Sequence, residues 1–252
     1  MLLILKNLRK KFIQNNKVSH YLLYALGEIV LIVVGILLAL GINNWSEENK
    51  LRSKEQFYLS GLKEEFVTSK AKLEVLIEVN RSNYQNAEKI ARYFSSDSMP
   101  NETELSELLY KAFSYDVIYN PNNSLLDEIL NSSGFKTITN PELRRHLTDW
   151  ESRVQRINSQ ESALMNERDR VLNVFRKQGS IRTLLNKSGV SQEMGLNLQE
   201  DTSSNTGLLN FKEFENSLLI FILSSVSTEQ SHYMPLLEEI NHILKLIEGE
   251  LK

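Results

Sequence analysis

Few side chains in this 252-residue sequence have the type and spacing that chemistry needs. There are four histidines, His20, His146, His232 and His242. Glu238 and His242 stand one helical turn apart, a spacing at which two ligands share a helix face. A metal site inside a helical bundle draws several converging ligands from different helices. This pair is therefore read as an ordinary helix contact, and neither a metal nor a cofactor is expected. The absence of cysteine excludes disulfides, thiolate zinc and thiol catalysis. No serine sits in a strand-to-helix elbow, and neither a P-loop nor a G-x-G-x-x-G is present. The cations of 144–156 and 168–177 alternate with acids, the pattern of solvated helix faces. A net charge of -3 and a pI near 5.9 give no reason to expect nucleic acid. On these grounds the chain reads as a non-enzyme.

Glu28 is the residue that breaks the chemistry of its surroundings. It is the single charge between Tyr21 and Ile42, an apolar stretch of 22 residues. An ionised carboxylate in lipid costs several kcal/mol, so Glu28 is expected to face protein or water, or to be protonated. The stripe through it runs Tyr21, Ala25, Glu28, Ile32, Gly35, Ala39, Ile42, at alternating spacings of four and three. Gly35-x-x-x-Ala39 is a small-x-x-x-small pair, which lets membrane helices approach closely. Three readings follow. Glu28 lies on a helix–helix packing seam with Ala25, Ile32, Gly35 and Ala39, or snorkels toward Lys17 or His20, or couples to an ion.

The elements that position these residues are helical. Gly counts 10 and Pro 4, well below average usage, which disfavours a turn-rich β fold. The stretch 21–42 is long enough to cross a bilayer, which takes about 20 apolar residues. A cleaved signal peptide has the same basic start, and Ala39-Leu40-Gly41 resembles a cleavage site. The run is longer than a signal h-region and holds a carboxylate, so an uncleaved transmembrane helix is expected. Lys6, Arg9, Lys10, Lys11 and Lys17 precede it with no acid among them, whereas charges balance over 43–58. The N-terminus is therefore expected in the cytoplasm and residues 43–252 outside it, with Trp45 as an interfacial anchor. Residues 1–20 read as a basic segment whose Leu5, Leu8 and Phe12 make an amphipathic helix on anionic inner-leaflet lipid, or as a disordered tail that fixes orientation.

Beyond the span, apolar residues at spacings of three or four predict a helix over about 45–94. Short helices follow over about 102–115 and 124–131, with Asn101 as a cap for the first. Asn140 and Pro141 open a helix to about 186, matching the first in length and expected to pair with it antiparallel. Residues 187–209 read as a loop. A last helical region covers about 211–251, its run Leu218–Leu223 expected in the core and Pro235 dividing it. The fold class is all-α: one transmembrane helix, then an elongated extracytoplasmic up-and-down bundle.

Two stretches carry a resemblance. One is Gly27-Glu28-Ile29-Val30-Leu31, Gly35-Ile36, Ala39-Leu40 and Ile42-Asn43-Asn44-Trp45 with Glu47. The other runs from Asn120-Pro-Asn-Asn-Ser124 through Ser133-Gly134-Phe135 to Asn140, Leu143-Arg144 and Leu147. Together they resemble a large family of uncharacterised single-span proteins of Gram-negative bacteria. Gly41 departs from the family, whose members often carry Gln there. The resemblance implies an inner-membrane location and a defining unit that includes Glu28, Asn43, Asn44 and Trp45. It implies no activity.

The expected function is that of a non-enzymatic inner-membrane scaffold or interaction protein with the bundle in the periplasm. Its partners would be membrane lipids and another protein, a second copy or both, and not nucleic acid. A periplasmic sensing or ligand-binding bundle, or a subunit of an ion-coupled complex using Glu28, is the alternative.

Overall fold

The computed structural model describes residues 18–251. The basic residues Lys6, Arg9, Lys10, Lys11 and Lys17, and the amphipathic helix expected around them, lie outside the described residues. Two compact units divide the chain between Glu55 and Gln56. The first helix, α1 (Val18–Arg92), contributes to both. Within the first unit it is the apolar stretch and the polar turns after it.

The second unit is all helix and turn, with no strand among the described residues. After α1 come α2 (Glu102–Phe113), α3 (Ser124–Leu130), α4 (Pro141–Gln178), α5 (Ile181–Lys187), α6 (Val190–Glu193), α7 (Lys212–Thr228) and α8 (Met234–Glu250). Local chemistry sets the starts. Asn101 Oδ1 accepts from Glu104 N at 2.9 Å, and Asn140 Oδ1 accepts from Glu142 N and Leu143 N at 2.9 and 3.0 Å. Each caps the orphan amides of a first turn. At α3 the cap comes from another helix: Glu65 on α1 accepts from Leu125 N and Leu126 N at 2.7 and 3.1 Å. Asn123 is thereby free to accept from the Trp150 indole at 2.9 Å.

Two apolar cores hold the unit. In the first, Leu59, Leu62, Phe66 and Leu73 of α1 meet Leu143, Leu147 and Trp150 of α4 and Leu236, Ile240 and Ile243 of α8. Phe66 meets the Trp150 ring edge-on, centroids 4.9 Å apart. In the second, Ala87 and Ile90 of α1 meet Leu105 and Leu109 of α2, Leu164, Val171 and Phe175 of α4, and Phe214, Leu218 and Phe221 of α7.

This pairing corrects the expected topology. Low numbers on α1 meet low numbers on α4, and high meet high, so the two long helices run parallel. The return is made by residues 114–140, which descend along α1. Asn83 Nδ2 donates to Tyr115 O at 3.0 Å, Tyr119 Oη to Ser69 O at 3.2 Å, and Asn122 N to Ser69 Oγ at 2.8 Å. The antiparallel partner of both long helices is α7 with α8, whose end reaches Gln56, its Nε2 donating to Glu250 O at 2.8 Å.

Four local expectations also change. The helix expected to reach 186 stops at Gln178, where Gly179 turns to extended backbone, and a Cβ there would collide with the Phe175 ring. Ser180 then caps α5, its Oγ accepting from Thr183 N at 3.1 Å. The region over 211–251 is interrupted upstream of Pro235 by a π-helical turn, Glu229–Tyr233. Proline can neither donate to nor pack under the preceding turn, and a wider turn relieves both demands. Of the run 218–223, Leu218 and Phe221 are buried, while Leu219, Ile220 and Leu223 are exposed, because α7 presents one face to the core. The polar stretch 187–209 holds α6 and a 3-10 turn at Asn205–Asn210. It is pinned by Asn205, which accepts from Ser180 N at 2.7 Å and donates to Ser180 O at 3.0 Å.

Candidate functional site

The apolar part of α1 is long and apolar enough to cross a membrane, and among the described residues none of its most apolar window is buried. Helical spacing puts Ala25, Glu28, Ile32, Gly35 and Ala39 on one face. Ala25 is half-buried and the other four are exposed. A Cβ on Gly35 would meet nothing within 4 Å, so the close-approach notch is open. Trp45 is 67% exposed just past the stretch. A face of small residues around one carboxylate can accept a second helix and hydrogen-bond to it.

Inside the second unit, Glu161 of α4 is a carboxyl 2% exposed. Its Oε1 accepts from Tyr119 N at 2.9 Å and from Tyr233 Oη at 2.8 Å. Burial pushes the carboxyl up, against the pull of the two donors. Burial raises both tyrosines as well. The arrangement ties the returning segment and the π turn to α4. A cleft of about 320 Å³ bordered by Asn158, Ser162 and Met165 lies beside it.

On α1, Arg81 donates from Nε and Nη2 to Glu229 Oε1 of the π turn at 3.1 and 2.5 Å, and from Nη1 to Glu78 at 2.7 Å. The Glu229 hydrogen bond raises the guanidinium further above its ordinary value. Next to this pair runs a largely apolar groove of about 750 Å³, bordered by Val75, Ile77, Tyr115, Met234 and Leu237. Asn83 Oδ1 lies in its wall, buried and without a hydrogen-bond partner.

The histidines are arranged differently from the expectation. His242 faces another helix: its Nε2 lies 3.3 Å from Glu142 Oε1 of α4. His146, one turn after Glu142, packs its ring edge-on against that of His242, centroids 4.7 Å apart. His146 Nδ1 donates to Glu239 Oε1 of α8 at 2.6 Å. Arg153 Nε stands 3.3 Å from the same oxygen without the alignment of a hydrogen bond. Glu142 and His146 are a second pair at helical-turn spacing, and that spacing is legible in the sequence.

Residues 28–149 match the model of a family of unknown function (DUF6090). The match begins at Glu28 and includes Asn43, Asn44 and Trp45, the return segment and the first turns of α4. No curated protein and no solved structure matches the chain.

Proposed function

We propose that this protein is a non-enzymatic, single-pass protein of the bacterial inner membrane that works by holding another protein through its membrane helix and its bundle. The observation that carries this reading is the seam of α1, where Glu28, Gly35 and Ala39 share an exposed face that none of the described residues covers. Lipid tails are as apolar as leucine, so a helix gains nothing specific from them. Close packing and interhelical hydrogen bonds drive association instead. The basic N-terminal residues favour retention of that end in the cytoplasm beside anionic lipid, which puts the bundle in the periplasm. The exposed Leu219, Ile220 and Leu223 of α7 add apolar surface of the kind that binding partners cover.

Because the chain has no cysteine, single-cysteine crosslinking in native membranes reads the seam directly. A cysteine at position 38, beside the seam, should give a crosslinked product, of doubled mass if the partner is a second copy. Gly35→Leu should abolish that product, since the notch is filled. Glu28→Gln should preserve it, since an amide still donates and accepts; such contacts are worth about 0.6–2 kcal/mol in membranes. Unchanged crosslinking in Gly35→Leu rejects the seam. Loss of cellular function in Glu28→Gln with assembly intact replaces it by proton coupling.

A further inference from the structure

We propose that Glu142, His146 and His242 form a binding site for a divalent transition-metal ion of the zinc class, clasping the start of α4 to α8. The three residues each offer one ligand atom, and these atoms lie within 4.8 Å of one another. His242 Nε2 and Glu142 Oε1 stand 3.3 Å apart, the edge of a tetrahedron with metal–ligand bonds of about 2.0–2.1 Å.

One hydrogen bond fixes which nitrogen His146 would offer a metal. A carboxylate can only accept, so His146 Nδ1 carries the proton it gives to Glu239, which leaves Nε2 as the nitrogen a metal would take. Arg145, which can only donate, lies 3.4 Å from that Nε2. Arg145 is exposed, so its guanidinium can turn away from that nitrogen when a metal binds. Glu239, 10% exposed and flanked by Arg153, orients the ring from behind, as carboxylates behind ligating histidines do.

Two imidazoles and one carboxylate select the ion. Imidazole nitrogen suits zinc, copper, nickel and cobalt, and not magnesium or calcium. Three protein ligands leave one position for water or an external ligand. The side chains of His242 and Glu142 are 42% and 50% exposed, so that position opens to solvent. The two helices it joins are held together already by the apolar core beneath. The ion therefore tightens the bundle's end without being needed for folding.

The test uses the full chain in detergent, purified without a histidine tag and stripped with a chelator. Zinc titrated calorimetrically should bind at one ion per chain with Kd below about 10 µM. Cobalt in its place should give visible absorption bands of a low-coordinate site. At a hundredfold excess over Kd, zinc should raise the bundle's Tm by about 5–10 °C. His242→Ala and Glu142→Gln, at half-buried and exposed positions, should retain helicity and lose at least tenfold in affinity. Glu239→Gln should lose about 10–100-fold, as removal of an orienting carboxylate does. His232→Ala should bind as the parent does. Absence of one-to-one binding below about 100 µM, or binding that survives His242→Ala, overturns the site.

Discussion

Tyr233 Oη donates to Glu161 Oε1 at 2.8 Å, joining the π turn to the middle of α4 between the two apolar cores. Because burial raises the carboxyl, its protonated form is the one the fold favours. That stability is fully present below the ordinary value of 4.5 and is lost as pH rises through the raised folded value. Urea midpoints measured from about pH 4 to pH 9 should fall for the parent relative to Glu161→Gln, which cannot ionise. Parallel curves would refute this. Tyr233→Phe should cost about 1–3 kcal/mol at any of these pH values, since a buried acceptor loses a donor.

Two glycines should respond oppositely to alanine. At Gly179 the added methyl meets the buried Phe175 ring, and the loss should be about 1–3 kcal/mol. At Gly249, in the last turn of α8, it meets nothing within 4 Å, and the helix should gain about 0.5–1 kcal/mol. Denaturation midpoints of the two variants decide, and changes of one sign at both sites would contradict the packing described.

The polar pin at Asn205 predicts a local effect. Asn205→Ala leaves the buried Ser180 N–H without its acceptor, at a cost of about 1–3 kcal/mol. Limited proteolysis should then cut within 187–204 before the helices open. Nearby Asp201 accepts from Ser180 Oγ at 2.6 Å and from Ser203 N at 3.0 Å, which lower its carboxyl to about 2. Its stabilising effect is present above the ordinary 3.8 and disappears as pH falls through about 2, so cutting should accelerate in that acid window. Protection unchanged by Asn205→Ala would argue against the pin.

A reporter that is active only in the periplasm, fused after Lys252, should give signal in cells. The positive residues before the apolar stretch motivate this. Activity from a cytoplasm-only reporter at the same site would invert the orientation and remove the basis for a periplasmic partner.

The sequence disclosed what local chemistry decides. Asn101 and Asn140 announce their helices by capping, and low Gly and Pro with apolar periodicity leave no room for strands. What it concealed depends on distant pairings. Nothing in residues 114–123 shows that they travel back along α1, because their hydrogen bonds go to Ser69, Asn83 and Glu161 and leave no periodicity of their own. Without that return, two helices of similar length look antiparallel. The cluster of Glu142, His146 and His242 was half legible, as the turn-spaced pair on α4. His242 joins it across about a hundred residues, through a helix alignment that no local pattern reveals. The loop at 187–209 misled because its polar groups bond to Ser180 and Thr183 at the start of α5 instead of to water.

The π turn makes one stretch of this chain unequal to its neighbours in how it tolerates a change of length. Upstream, Phe214, Leu218, Phe221 and Ser225 face inward; downstream, Tyr233, Leu236, Ile240, Ile243 and Ile247 do. The extra residue within Glu229–Tyr233 rotates the second series by about 100° so that both series meet the same core. Deleting a single codon there would yield a more regular helix and a worse protein, with Ile240 and Ile243 swung toward water. Reading-frame-preserving loss at 229–233 should therefore be rare where the bundle is retained, while the exposed turn at 96–99 accepts length changes freely.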